Sequence, residues 1–274
     1  MQIRQSLCSL ALAATVCLAM PGCAEDPAVN SDYRLSIDAT DFDIRHCNGA
    51  VRAMLPSLSF ATSACADDKV APNLQYCGCN LMLDSAAGQL DPGPIFEQRG
   101  AALLRMGEIA HAIQDYDAAL NLQPGSPRAL YGRGNAHVEN HDYGSALMDY
   151  NEALQRQPDF PEALAARCWA RAIWHKTFET AVADCDRVLQ EHPDNARARE
   201  YRGFIFLRSA RYAAAIADFD KALAVAHPSV NALYLRGIAR QLDGDADRGA
   251  ADIAQALALD AAVEERYRTF GLTP

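Results

Sequence analysis

The sequence predicts an all-α solenoid built from helix–turn–helix repeats, and three observations predict it. Arg99, Arg133, Arg167, Arg202 and Arg236 recur every 34 or 35 residues. Asp115, Asp149, Asp184, Asp218 and Asp252 follow in step, 16 or 17 residues behind. Columns of small residues, large residues and prolines repeat in register with both series. Self-similarity at this period marks stacked helical hairpins, an architecture that binds ligands rather than transforming them.

The chain opens on a segment, residues 1–23, with the pattern of an export signal. Arg4 is its positive start and Leu7 to Met20 its apolar run. That run is short for a membrane span. Met20-Pro21-Gly22-Cys23 resembles a bacterial lipobox with Cys23 as the lipid-bearing residue, and Gly22-Cys23-Ala24 equally fits an ordinary signal-peptidase site. Both readings export the chain, either to the periplasm or to a lipid anchor in the bacterial cell envelope. Cys23 is then the only route to a membrane.

The repeated columns define the helices. Gly100, Gly134, Cys168, Gly203 and Gly237 follow the arginines directly. Ala112, Ala146, Ala181, Ala215 and Gly249 form a second small column, and Tyr116, Tyr150, Cys185, Phe219 and Ile253 come four residues later. Leu147, Tyr150, Ala153 and Leu154 show the helical spacing of apolar residues. Small residues on two helices let the backbones approach, while one large side chain fills the space beside them. Pro124, Pro158, Pro193 and Pro228 end four of the units.

These units resemble tetratricopeptide repeats, and the stretch Gln114-Asp115-Tyr116-Asp117-Ala118-Ala119-Leu120 is similar to the second helix of that family. The resemblance implies a right-handed α-solenoid of about five repeats, at 93–126, 127–160, 161–195, 196–229 and 230–260. Arginine stands at the seventh position of every unit, where the family usually has leucine. The third unit carries one extra residue between its helices. Residues 261–274 read as a capping helix with Glu264, Glu265, Arg266 and Arg268, stopped by Gly271.

Residues 24–92 form a Cys-rich helical extension outside the clean repeat. Residues 25–40 are polar, while 41–56 and 69–85 are candidate helices. The second of these resembles a degenerate repeat helix in which Cys79 takes the slot that Cys185 takes later. With residues 1–23 removed, six cysteines remain, an even set that reads as disulfides in an oxidising compartment. In an antiparallel repeat hairpin Cys168 and Cys185 lie at one height, which pairs them; the alternative is two buried thiols in small-residue slots. Exported repeat proteins of this look carry a cysteine pair before the first full repeat, and the resemblance implies Cys65–Cys79 and Cys47–Cys77. Cys77-Gly78-Cys79 also admits a redox motif or half of a zinc site.

The Arg and Asp columns meet across each hairpin and read as structural pairs, since arginine grips a carboxylate through two parallel hydrogen bonds. The other reading makes the arginines a track for an anionic ligand. In the family the first helices line the concave face. That places Tyr131, Asn135, Trp169, Glu200, Phe204, Leu207, Tyr234, Ile238 and Gln241 on the wall, among Arg128, Glu162 and Arg197. The resemblance thus implies a groove for a peptide or helix, the alternative being rings packed between adjacent first helices. The family's carboxylate clamp needs lysines, and the chain has only Lys69, Lys176 and Lys221. Asn135 is its one matching residue.

Other chemistries find no support. His137-Val138-Glu139-Asn140-His141 misplaces its glutamate for a zinc-protease motif, and Gly132-Arg133-Gly134 follows no strand. Asp38, Asp41 and Asp43 lack calcium-loop spacing. The net charge of −10 becomes −11 without residues 1–23, whose one charge is Arg4. That balance disfavours nucleic acid. The sequence therefore predicts a non-enzymatic scaffold for protein–protein interaction, with no cofactor and no metal. The alternatives are an assembly lipoprotein that self-associates through its end repeats and, third, a thiol-redox protein using the Cys-rich segment.

Overall fold

A computed structural model describes Cys47 and residues 58–85, 90–174, 178–225 and 229–274. The expected export signal, Cys23, the segment 25–40 and the candidate helix 41–56, apart from Cys47, lie outside the described residues. Among the described residues there are thirteen α-helices and no strand. None of these helices is long and apolar enough to cross a membrane.

The chain divides into two compact units, residues 1–90 and 91–274. In the first, α1 (Leu58–Ala66) and α2 (Pro72–Ser85) form a hairpin. The sequence did not single out α1, because its Ala-, Ser- and Cys-rich run has no polar–apolar period to read. Their approach is close: a Cβ on Gly78 would lie 2.7 Å from the Ala61 carbonyl oxygen. Disulfides join Cys65 to Cys79 and Cys47 to Cys77, with Cα–Cα distances of 4.7 and 5.6 Å. Buried Gln75 donates from Nε2 to the Cys65 carbonyl at 2.9 Å. Two short helices bury too little apolar surface to stand alone, and the covalent links supply what the core lacks.

The second unit holds five hairpins. Their first helices are α3 (Pro92–Arg105), α5 (Pro127–Glu139), α7 (Pro161–Ile173), α9 (Ala196–Arg208) and α11 (Val230–Leu242). Their second helices are α4 (Ile109–Leu122), α6 (Tyr143–Arg156), α8 (Phe178–Glu191), α10 (Tyr212–Val225) and α12 (Ala246–Leu259), and α13 (Val263–Arg268) follows. Side chains of Asp91, Ser126, Asn195 and Ser229 cap the starts of α3, α5, α9 and α11. Four first helices stop in the same way. Gly107, His141, Ala210 and Gly244 take positive φ. The N–H that follows each reaches back five residues, as from Asp142 to the His137 carbonyl at 2.8 Å. One shared turn therefore sets one shared hairpin geometry.

Inside each hairpin a small residue faces a large one. A Cβ on Gly134 would come within 2.6 Å of the Tyr150 ring, and one on Gly203 within 2.8 Å of the Phe219 ring. In the third hairpin Cys168 and Cys185 fill this slot as a disulfide, both fully buried, with Cα atoms 5.7 Å apart. Each second helix also packs on the next first helix, while first helices touch one another and second helices do not. The first helices therefore form the inner wall of this unit.

Candidate functional site

Along one side of the hairpins the Arg and Asp columns form a ladder. Arg99, Arg133, Arg167, Arg202 and Arg236 each hold their own hairpin's aspartate through Nε and Nη2, at 2.6 to 3.0 Å. The third nitrogen, Nη1, of the last four binds the preceding hairpin, at Asp117, Asn151, Asp186 and Asp220. The carboxylates hold Arg133 and Arg202 above the usual guanidinium range, Asp149 and Asp218 by hydrogen bonding first. In these four guanidinium groups every nitrogen bonds a side chain of the protein itself, and an anionic ligand would have to compete with those partners. The second set of partners recurs with the same period, so the sequence carried its signal too.

The open part of the inner wall is a cleft of about 650 Å³ lined by Tyr131, Asn135, Glu162, Trp169, Arg197 and Tyr201, among others. Trp169 stacks on Tyr201 with centroids 4.9 Å apart and planes at 23°. Tyr131 leans on Phe160 at 5.2 Å and on Tyr150 at 6.2 Å. The Tyr150 hydroxyl donates to Asn135 Oδ1 at 2.7 Å. Burial pushes that phenol far above its ordinary range, so it remains a donor, and Asn135 is left with N–H groups to offer. Tyr201 is pushed up to about 12 by burial. Glu139 and Glu162 line the cleft together with Arg105 and Arg197, so neither sign of charge dominates. The sequence did not single out Tyr201, because it occupies a position beside the ones assigned to the wall.

The remaining residues assigned to the wall lie elsewhere. Phe204, Leu207, Tyr234 and Ile238 are at most 3% exposed, in the core shared by the last three hairpins. The chain's own C-terminal segment covers this part: Phe270 meets Phe204 at 5.4 Å, and Tyr267 stacks on Tyr234 at 5.8 Å. Glu200 accepts a hydrogen bond from Ser229 Oγ at 2.7 Å, at the cap of the next first helix. Desolvation raises its carboxyl above the ordinary value. Gln241 is half-buried, against Gly249. A repeating position fixes which side of a helix a residue occupies, and a tail with no repeat then decides whether that side is open.

Cys77 and Cys79 are buried and bound to different cysteines, so neither presents a thiolate for attack. Among the described residues, Asp159, Glu191 and His192 bring ligand atoms within 4.8 Å of one another, all exposed and outside the cleft.

The sequence profile of the tetratricopeptide repeat matches residues 98–161 and 177–231. A comparison with curated protein sequences finds no match. Among solved structures, a tetratricopeptide repeat protein from Parabacteroides merdae is similar at 20% identity and a TM-score of 0.59, covering 83% of this chain and 93% of that one. A thermophilic repeat protein of Thermus thermophilus is similar at 19% identity and a TM-score of 0.56, covering 66% and 100%. YrrB, described as a repeat protein with an unusual peptide-binding site, is similar at 16% identity and a TM-score of 0.50, covering 67% and 94%. Periodic columns, stacked hairpins and the profile match agree, and the repeats at residues 98–161 and 177–231 belong to the tetratricopeptide repeat family.

Proposed function

We propose that this protein is an exported scaffold of the bacterial cell envelope that binds a peptide or helical segment of a partner protein in the inner-wall cleft. The observation that carries the reading is the half-buried Trp169–Tyr201 stack beside Tyr131 and Asn135. Rigid aromatic surface with a few hydrogen-bond donors and no net charge suits a polypeptide better than a charged metabolite. Similarity to a repeat protein with a peptide-binding site supports it. Export is supported by three disulfides, which persist in oxidising compartments.

The test is a panned peptide library, with affinities of the selected peptides measured by fluorescence polarisation. Trp169→Ala is expected to weaken binding at least about tenfold, the loss typical of an interface anchor. Leu122→Ala, on an exposed site of α4, is expected to change nothing. Selected peptides that bind Trp169→Ala and wild type equally would sink the reading.

A further inference from the structure

The C-terminal segment is more than an end to the stack. After Asp260, whose carboxylate accepts from the Ala262 N–H and from Arg266 at 2.9 and 2.8 Å, the chain turns back onto the inner wall. Val263, Tyr267 and Leu272 are buried and Phe270 is half-buried, while Glu265, Arg266 and Arg268 face solvent. Tyr267 lies on Tyr234 and 6.2 Å from Phe204. Phe270 stands edge-on to Phe204 and reaches Trp169 at 6.4 Å. The Arg208 guanidinium covers both Phe204 and Phe270, at 5.6 and 5.9 Å. Tyr234 Oη donates to the Leu272 carbonyl at 3.4 Å.

Two features set this segment apart from another first helix. Its helix has six residues, against thirteen or fourteen in every hairpin helix of the second unit. Its rings also extend to the third hairpin, whereas hairpin helices pack only on their neighbours. Trp169 belongs to both surfaces: it stacks on Tyr201 in the open cleft, and it also meets Phe204 at 5.0 Å and Phe270 at 6.4 Å. A ligand that enters the cleft at Trp169 therefore arrives beside the segment's last ring.

We propose that residues 263–274 are a displaceable, built-in occupant of the inner wall. The partner that replaces them is a protein segment with the pattern of Tyr267, Phe270 and Leu272: an aromatic residue, a second three positions on, and an aliphatic residue two further. Such a segment extends binding from the open cleft across Phe204 and Tyr234. Because the occupant is tethered, its local concentration is high, and a partner must outcompete it. This regulates partner binding without a second site. The inference rests on the reading of the inner wall as a peptide-binding surface.

Two measurements test it on the full chain. Hydrogen exchange of wild-type protein is expected to be at least tenfold faster for amides 263–272 than for those of α9 and α11. A fluorescent synthetic peptide of residues 261–274 is expected to bind Phe270→Ala at least tenfold more tightly than wild type, and to lose that binding when Trp169→Ala is added. Exchange as slow as in α9 and α11 would make the segment part of the cooperative core and overturn the inference. The library assay on the cleft, which does not depend on it, would be untouched. Equal binding to wild type and Phe270→Ala, or none to a folded Phe270→Ala, would likewise overturn it.

Discussion

Arg133 holds Asp149 with two nitrogens, Nε at 3.0 Å and Nη2 at 2.6 Å, and reaches Asp117 of the preceding hairpin with the third at 2.6 Å. One side chain thereby fixes the register within its hairpin and joins that hairpin to the one before. Asp149 is buried, while a quarter of the Arg133 side chain remains exposed. The carboxylate is thus the partner that cannot be left alone.

Arg133→Ala is accordingly expected to cost about 2–4 kcal/mol, the penalty of stranding a buried carboxylate, reduced for the partial exposure of the pair. Arg133→Lys should recover less than half, because a point charge cannot fork across two oxygens and a neighbouring hairpin. Urea unfolding followed by circular dichroism measures both. A loss below 0.5 kcal/mol, the range of ordinary surface substitutions, would show the ladder to be incidental.

His137 occupies the place in its hairpin that Arg171 and Arg240 occupy in theirs, four residues after the ladder arginine. Those arginines donate to Asp184 and Asp252 at 2.6 and 2.8 Å. His137 Nε2 lies 3.8 Å from Asp149, beyond hydrogen-bonding distance, and its buried Nδ1 has no hydrogen-bond partner. His137→Arg should add the missing bond and stabilise the protein by about 1 kcal/mol, read as a rise of a few degrees in Tm. A fall in Tm would mean that the second hairpin lacks room for the longer side chain.

The third hairpin offers an exchange. Cys185→Tyr alone removes the disulfide and sets a ring against Cys168, where the equivalent ring in the second hairpin tolerates only glycine. Its expected cost is about 3 kcal/mol for the bridge and a further 1–3 kcal/mol for overpacking. Cys168→Gly with Cys185→Tyr should return the overpacking part, because it recreates the Gly134–Tyr150 pair. Equal stability of the single and double variants would show that small–large complementarity does not set this slot.

Glu200 supplies the pH dependence. Desolvation raises its carboxyl, against the opposing hydrogen bonds from Ser229 and Asn231. A raised carboxyl favours the folded state in its protonated form, so its contribution is full below the ordinary value of 4.5 and is lost as pH rises through the folded value. Glu200→Gln accepts from Ser229 without a charge to desolvate. The variant should therefore exceed wild type in Tm at pH 7–8, with the gap closing toward pH 4. A variant less stable at pH 7 would mean that the charge itself holds the α11 cap in place.

The sequence by itself determined the hairpins. A constant spacing between Arg133 and Asp149, or Gly134 and Tyr150, is a local rule, because residues 16 apart across a short turn must meet when both flanks are helical. The Nη1 partners Asp117, Asn151, Asp186 and Asp220 share the same period, yet only the structure singled them out as the links between hairpins. The tertiary structure alone decided which part of the wall stays open. Phe204 and Tyr234 occupy the same kind of helical position as Tyr131, yet they are buried and Tyr131 lines the cleft. The difference lies in Tyr267 and Phe270, which come from outside the repeat and fold back over more than thirty residues of chain. A period records only the contacts that every unit makes, and this contact is made once.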